Sequence, residues 1–329
     1  MSRLGVSIGD VNGIGIEILI KAFKSLKPIL MKHRLIIFGD YYHINYYLKK
    51  FKGKIKPGDF PVFIDYTGKD SRIPGVYEVS PLNLNPDYQP EPGTISKVAG
   101  EIAYESITTA SNEIKKKNID SLVTLPIAKE SIRLTGCDKT GHTTILEDYF
   151  KKRITMVFMS KVLNVVLITI HLPINRVSES ITVNAITQKV KLVYNFFSRR
   201  NKKLRFLLLA LNPHAGENGL LGYEEKRVII PAVKRLTAAG LNISGPKPPD
   251  TAFTRNNISQ YDFFICMYHD QGLIPFKMLT EFNACQVSVG LDFVRTSVSH
   301  GTGFDIAGKG IASPESFIYA VMKNIELIK

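Results

Sequence analysis

Tryptophan is absent, and only three cysteines and seven histidines occur in 329 residues. The cysteines, Cys137, Cys266 and Cys285, are too few and too widely spaced for a disulfide framework or a cysteine-rich metal site, so they are expected to be reduced core thiols. No apolar run approaches the roughly 20 residues that a membrane span requires. The opening residues, MSRLGVSIGD, enter an apolar run at once, without the hydrophobic stretch of a signal peptide, and a cytoplasmic location is expected. A full GxGxxG dinucleotide fingerprint is missing. Internal repeats and low-complexity linkers are missing too. Acidic residues are scarce beside basic ones, 29 against 43, leaving a net charge of +14.

Such an excess can signal nucleic acid. Here the basic clusters are short and scattered: Lys49-Lys50, Lys115 to Lys117, Lys151-Lys152-Arg153 and Arg199 to Lys203. They mostly fall at the ends of helical patterns, where cations offset the helix dipole, and they are not interleaved with aromatics. No nucleic-acid partner and no membrane partner is expected; a basic surface suits a phosphorylated small molecule instead. With 44% hydrophobic and 22% charged residues the composition is that of an ordinary globular protein, long enough for two domains.

Apolar runs alternate with helical patterns along the chain. Leu4–Ile8 leads into the glycine-rich turn Gly9 to Gly15 and a helix running to Leu26. That turn either presents backbone N–H groups to an anion or is simply a tight strand-to-helix connection. Strands are expected at 35–39, 121–125, 162–170, 204–211, 263–267 and 287–291, the last ending near Arg295. Helices are expected at 41–51, 96–116, 145–152, 186–198, 223–239 and 314–328. Alternation of this kind predicts a mostly parallel α/β sheet, in which sites form beyond the carboxyl ends of strands.

Three of the seven histidines, His171, His214 and His269, fall at or just past the ends of apolar runs. Parallel strand ends converge, so the three imidazoles could meet on one cation. Neutral histidines with open coordination positions suit zinc or another divalent transition metal. The stretch Tyr268-His269-Asp270-Gln271 is expensive to place at a buried strand end unless it binds something. Asp250 and Asp270 are candidate acid/base groups or partners that fix the imidazole tautomers. His142 and Thr143 precede a helix, where a phosphate or carboxylate would be welcome. Lys277 and Arg295 add a point charge and a fork for an anionic substrate.

Eight segments, taken together, carry a resemblance: GDVNGIGIEI (9–18), TLPIAKESI (124–132), GHTTIL (141–146), TIHLP (169–173), LNPHAGENGLLGYEE (211–225), GPKPPDT (245–251), MYHDQGLIPFK (267–277) and GLDFVRTSVSHGTGFDIAGKG (290–310). In order and spacing the chain resembles the 4-hydroxythreonine-4-phosphate dehydrogenase family of pyridoxal phosphate biosynthesis. The tail HGTGFDIAGKG is similar to the adenosine-binding segment of isopropylmalate and isocitrate dehydrogenases. The resemblance implies their fold, two α/β domains with an intervening cleft. It implies a first domain of residues 1–130 plus 296–329 on the cofactor side, and a second of residues 131–295 with the metal ligands and a dimer interface.

Residue by residue, the resemblance makes His171, His214 and His269 metal ligands, with the site at the interface of a homodimer and a third ligand supplied by the partner chain. It makes His142, Thr143, Lys277 and Arg295 substrate-binding residues, together with Gln286, which stands where the family has asparagine. Asp250, Asp270 and Lys277 are the expected catalytic groups; His300, Gly301, Thr302 and Asp305 are expected to bind the cofactor. The implied reaction is oxidation of 4-phosphooxy-L-threonine at C3 and loss of CO2, giving 3-amino-2-oxopropyl phosphate. Its cofactors would be NAD, or NADP, and one divalent metal per site (Zn, or Mg or Co). The alternative is a related dehydrogenase of a four-carbon phosphorylated sugar acid, threonate or erythronate 4-phosphate. Thr144, Gln286, Asp292 and Ser299 depart from the family pattern.

Overall fold

The computed structural model describes residues 1–56, 59–68, 73–139, 141–200 and 203–328. The chain divides into two compact units. One comprises Met1–Arg153, Ala284–Gln286 and Leu291–Lys329; the other comprises Ile154–Asn283 and Val287–Gly290.

The first unit begins with β1 (Arg3–Ser7), α1 (Gly15–Leu30), β2 (Arg34–Phe38), α2 (Tyr41–Lys50), β3 (Phe63–Asp65), β4 (Tyr77–Ser80), α3 (Lys97–Lys115), β5 (Ser121–Thr124), α4 (Lys129–Leu134) and α5 (His142–Phe150). The second contains β6 (Thr155–Ser160), β7 (Asn164–Leu167), α6 (Val177–Ser180), α7 (Val183–Phe197), β8 (Arg205–Leu209), α8 (Ile230–Ala238), β9 (Asn242–Lys247), α9 (Pro249–Ala252), α10 (Arg255–Gln260), β10 (Phe263–Cys266) and α11 (His269–Thr280). After β11 (Ala284–Val289), β12 (Val294–Val298) and α12 (Glu315–Ile328) complete the first unit. Among the described residues no helix is long and apolar enough to cross a membrane.

In the first unit the strand order is β3-β4-β2-β1-β5-β12, and every pairing is parallel. A parallel sheet is covered on both faces, so its strands read as unbroken apolar runs; Leu35, Ile36, Ile37 and Phe38 of β2 are all fully buried. α1 covers the sheet with Ile16, Leu19, Ile20, Phe23 and Leu26, apolar at helical spacing. One charged pair lies inside: Arg34 of β2 donates to both carboxylate oxygens of Glu78 on β4, at 2.6 and 2.5 Å. Residues 131–153, expected in the second domain, cluster with this unit. One reason is that Lys115 at the end of α3 lies 4.0 Å from the ring centroid of Tyr149 on α5.

In the second unit the order is β6-β7-β10-β8-β9, parallel except for the β6–β7 pair. The single strand expected over 162–170 is instead the second arm of a hairpin. Ser160 Oγ accepts the N–H groups of Val162 (3.0 Å) and Leu163 (2.9 Å), which turns the chain back between β6 and β7. The strand expected at 287–291 ends at Val289, and Arg295 is not at its end. It is the second residue of a new strand, β12, with its side chain buried.

Candidate functional site

The three histidines singled out in the sequence follow three adjacent strands of the second unit, β7, β10 and β8. Leu167 and Cys266 are in register at the ends of β7 and β10. The main-chain pairing continues past them, with Thr169 donating to the Met267 carbonyl from both N (3.0 Å) and Oγ1 (2.7 Å). His171 and His269 therefore emerge as neighbours, their rings 5.7 Å apart. Gln271, expected to bind something, is satisfied within the fold. Its side-chain oxygen accepts Met267 N–H at 2.6 Å, and its amide donates to the Ala210 carbonyl at 2.7 Å. It thereby ties the end of β10 to the end of β8.

His214 is presented differently. From His214 to Asn218 five consecutive residues have φ between +40° and +76°. Only Gly216 adopts this region at no steric cost; for L-residues a left-handed turn costs about 1–2 kcal/mol each. The turn persists because its surroundings over-determine it. Glu225, buried, accepts the N–H groups of Leu211 (2.9 Å) and Asn212 (2.8 Å) and the Asn212 side-chain amide (3.0 Å). A Cβ at position 216 would come within 2.6 Å of Glu225 Oε2. Sequence reasoning missed Glu225, since an acidic residue in the first turn of a helix reads as a dipole complement.

Two of the histidines have carboxylates on Nδ1. His214 Nδ1 lies 2.5 Å from Glu217, and His269 Nδ1 lies 2.7 Å from Asp270. The Glu217 hydrogen bond, helped by its charge and that of Asp250, raises the His214 pKa above its usual value. A carboxylate on one ring nitrogen fixes the tautomer and leaves the other nitrogen as a lone-pair donor, the arrangement typical of metal-bound imidazole. The donor set therefore fits a divalent transition metal. Among the described residues of one chain, however, no three His, Cys, Asp or Glu side chains are grouped closely enough to hold a cation; the pair His171–His269 is brought together, with His214 outside it. Asp250 and Asp270 line an open cavity of about 450 Å³ with Phe253, Tyr268 and Ile274. Lys277 is exposed and lies on the same helix as His269, about 12 Å further along its axis.

The first unit holds the remaining candidates. His142 is the first residue of α5, and Thr144 caps that turn by accepting Gly141 N–H (3.2 Å) and donating to the Gly141 carbonyl (2.9 Å). His142 Nε2 is buried with no hydrogen-bond partner among the described residues. Burial, then the Arg295 charge, pushes the imidazole pKa well below its ordinary value, so the ring is neutral. Arg295 donates from Nη1 to Gln286 Oε1 at 2.6 Å and from Nη2 to Thr124 Oγ1, and Ser297 Oγ donates to the same Gln286 oxygen at 2.8 Å. Burial drives the guanidinium pKa down to about 9. His142 also hydrogen-bonds the Leu125 carbonyl, which leaves Nε2 of the neutral ring as an acceptor. The buried Arg295 guanidinium is the group that would stabilise an oxyanion, and His142 Nε2 suits a hydroxyl beside it. His300, Gly301, Thr302 and Asp305 lie on the loop after β12; Gly301 and Asp305 are exposed, and a Cβ at Gly301 would meet open space. An open backbone with an exposed carboxylate fits the hydroxyls of a nucleotide ribose.

A family model described as "Pyridoxal phosphate biosynthetic protein PdxA" matches residues 32–323. The chain belongs to this family. It is 38% identical to a 4-hydroxythreonine-4-phosphate dehydrogenase of Sulfurihydrogenibium sp. over 98% of this chain and 97% of that one. It is 32% identical to a D-threonate 4-phosphate dehydrogenase of Salmonella typhimurium, covering 98% of each. Among solved structures, a 4-hydroxythreonine-4-phosphate dehydrogenase from Klebsiella pneumoniae superposes with a TM-score of 0.84 at 30% identity over the whole of both chains. An isocitrate dehydrogenase from Methylococcus capsulatus (TM-score 0.51, 13% identity, 100% of this chain and 86% of that one) shares the fold.

The positions expected to depart from the family pattern have local partners. Thr144 closes the first turn of α5. Asp292 pairs with Lys152 at 3.2 Å, and Ser299 N–H donates to Ser316 Oγ at 2.9 Å. Gln286 is buried, and its oxygen serves Arg295 and Ser297.

Proposed function

We propose that the chain is a metal-dependent dehydrogenase that oxidises the C3 hydroxyl of 4-phosphooxy-L-threonine with NAD, or NADP. The β-keto acid so formed loses CO2 to give 3-amino-2-oxopropyl phosphate. The observation that carries this reading is the buried Arg295 guanidinium beside the unpartnered Nε2 of His142, in a chain of the PdxA family.

His171, His214 and His269 would hold the cation, Zn or else Mg or Co. When bound, the cation would act as a Lewis acid on the substrate hydroxyl, and the nicotinamide would accept hydride. The protein's own part is binding and orientation. Arg295 and Thr143 hold oxyanions of the substrate, His142 accepts a substrate hydroxyl at Nε2, and Lys277 adds a further cation. Gln286 orients Arg295 from behind. Asp270 fixes the His269 ring, which leaves Asp250 as the better candidate to move a proton. His300, Gly301, Thr302 and Asp305 receive the nucleotide.

The functional form is a homodimer whose partner completes the metal site. Support comes from the apolar stripe of α11, where Ile274 (58% exposed), Met278 (78%) and Phe282 just beyond it face solvent at four-residue spacing.

The test is the purified protein with a divalent metal and NAD or NADP, offered 4-phosphooxy-L-threonine or D-threonate 4-phosphate, with reduced nicotinamide followed by absorbance. Turnover of the amino acid phosphate with CO2 release, abolished by a chelator and restored by metal, is expected. Turnover of the threonate phosphate alone would transfer the chain to the sugar-acid branch. No reduced cofactor with either substrate would refute the dehydrogenase reading.

A further inference from the structure

Two amides of the glycine-rich turn after β1 are engaged within the fold. Gly13 N–H donates to the Asp10 carbonyl at 3.0 Å, and Ile14 N–H donates to the Thr302 carbonyl at 2.9 Å. Gly13 is pressed against the same residue, where a Cβ would stand 3.0 Å from Thr302 O and 3.1 Å from Thr302 Cβ. This turn is thus a seat for the start of the loop that follows β12.

The far end of that loop is gripped by the first turns of α1. Glu17 is fully buried. Its two oxygens accept the N–H groups of Gly310 (3.2 Å) and Ala312 (2.7 Å). Lys21, one helical turn on, donates from Nζ to the carbonyls of the same two residues, at 3.1 and 2.5 Å, and lies 3.8 Å from Glu17 Oε1. The pair therefore satisfies both the donors and the acceptors of a stretch with no strand or helix of its own. Buried main-chain groups left unpaired would cost about as much as lost hydrogen bonds. Midway, Gly93 N–H is held by the Asn12 carbonyl at 2.8 Å, and a Cβ at Gly93 would stand 2.8 Å from the Phe304 carbonyl. The loop is fastened at its start by the β1–α1 turn and at its far end by α1, and Gly93, held by Asn12, packs against Phe304.

We propose that Glu17 and Lys21 are positioning residues for nucleotide binding: they fix residues 302–312 so that the exposed Asp305 and the open face at Gly301 are preorganised for the cofactor. The inference rests on the cofactor reading above. Neither side chain touches the nucleotide; they act through the loop, and preorganisation of this kind lowers the ordering cost of binding.

The test uses Glu17→Gln, which keeps the shape but replaces one acceptor with a donor facing an N–H. Binding of NADH to the metal-loaded protein is measured from the cofactor's own fluorescence, in a chain free of tryptophan emission. Expected is a fall in NADH affinity of about ten-fold and faster hydrogen exchange across 302–312. KM for the cofactor should rise by a similar factor, with kcat at saturating cofactor, KM for the phosphorylated substrate and metal content unchanged. Lys21→Met, at a partly exposed side chain, should shift the same quantities in the same direction if Glu17→Gln fails to fold. NADH binding by the unmodified protein with equal binding by the variants would overturn the positioning role. Binding of neither NADH nor NADPH by the unmodified protein would overturn the cofactor reading and this inference with it; if only NADPH binds, the same comparison is made with NADPH.

Discussion

Arg295 Nη1 donates to Gln286 Oε1 across 2.6 Å, and both side chains are buried. The same oxygen also receives Ser297 Oγ–H at 2.8 Å, so one amide sets the orientation of the fork and of a neighbouring hydroxyl. Gln286→Asn withdraws that oxygen by about a methylene. Loss of a buried acceptor for a charged donor is worth about 1–3 kcal/mol. Steady-state kinetics should show KM for the phosphorylated substrate raised by about ten-fold, with kcat changed far less. An unaltered KM would mean that Gln286 does not position Arg295.

Acid should weaken the first unit through His43. Its side chain is fully buried in α2, and neither ring nitrogen has a hydrogen-bond partner among the described residues. Burial lowers its pKa from 6.5 to about 4, opposed only by the charge of Asp40. Above pH 6.5 the ring is neutral whether the chain is folded or not, and stability is unaffected. Between pH 6.5 and about 4 the unfolded chain takes up a proton that the folded chain refuses, so stability falls as pH falls, then levels off. The total is on the order of 3 kcal/mol, a large part of the 5–15 kcal/mol typical of a domain. His142 is depressed in the same direction by burial and by the Arg295 charge. Urea midpoints taken from pH 7 to pH 4 should decline, and His43→Phe should flatten part of the decline. An equal slope in the variant would contradict this assignment.

Gly216→Ala should damage the His214 turn from within. The position has φ of +76°, and the new Cβ would meet Glu225 Oε2 at 2.6 Å. Strain plus displacement of the carboxylate that holds Leu211 and Asn212 should cost on the order of 2 kcal/mol. Metal content and turnover should fall together, because His214 loses its orientation. Full metal content alongside a lowered melting temperature would confine the turn to a structural role.

Much of this was legible because it rests on short-range patterning. Apolar runs such as Leu35–Phe38 and Phe263–Cys266 announce buried strands, and a polar residue directly after one is conspicuous, as at His269. What escaped depends on side-chain partners distant in sequence. Arg295, the second residue of β12, reads as the end of a strand until Thr124 and Gln286 are seen to receive its protons. Gln271 looks like a ligand until Ala210, 61 residues away, accepts from it. The left-handed path of 214–218 gives no local signal, because only one of the five residues is glycine. The β6–β7 hairpin was hidden because Ser160 makes its turn with a side chain rather than with the usual glycine or asparagine pair.

That left-handed path also acts as a fixed ruler. Elsewhere a surface loop absorbs an extra residue for little more than the entropy of a slightly longer closure. Between Pro213 and Gly219 each added L-residue would have to join the mirror-image sense, at about 1–2 kcal/mol, or break it. The spacing from His214 to Gly219 is therefore locked by handedness. Change in this segment is confined to swaps among residues that tolerate positive φ, and its length is not free to drift.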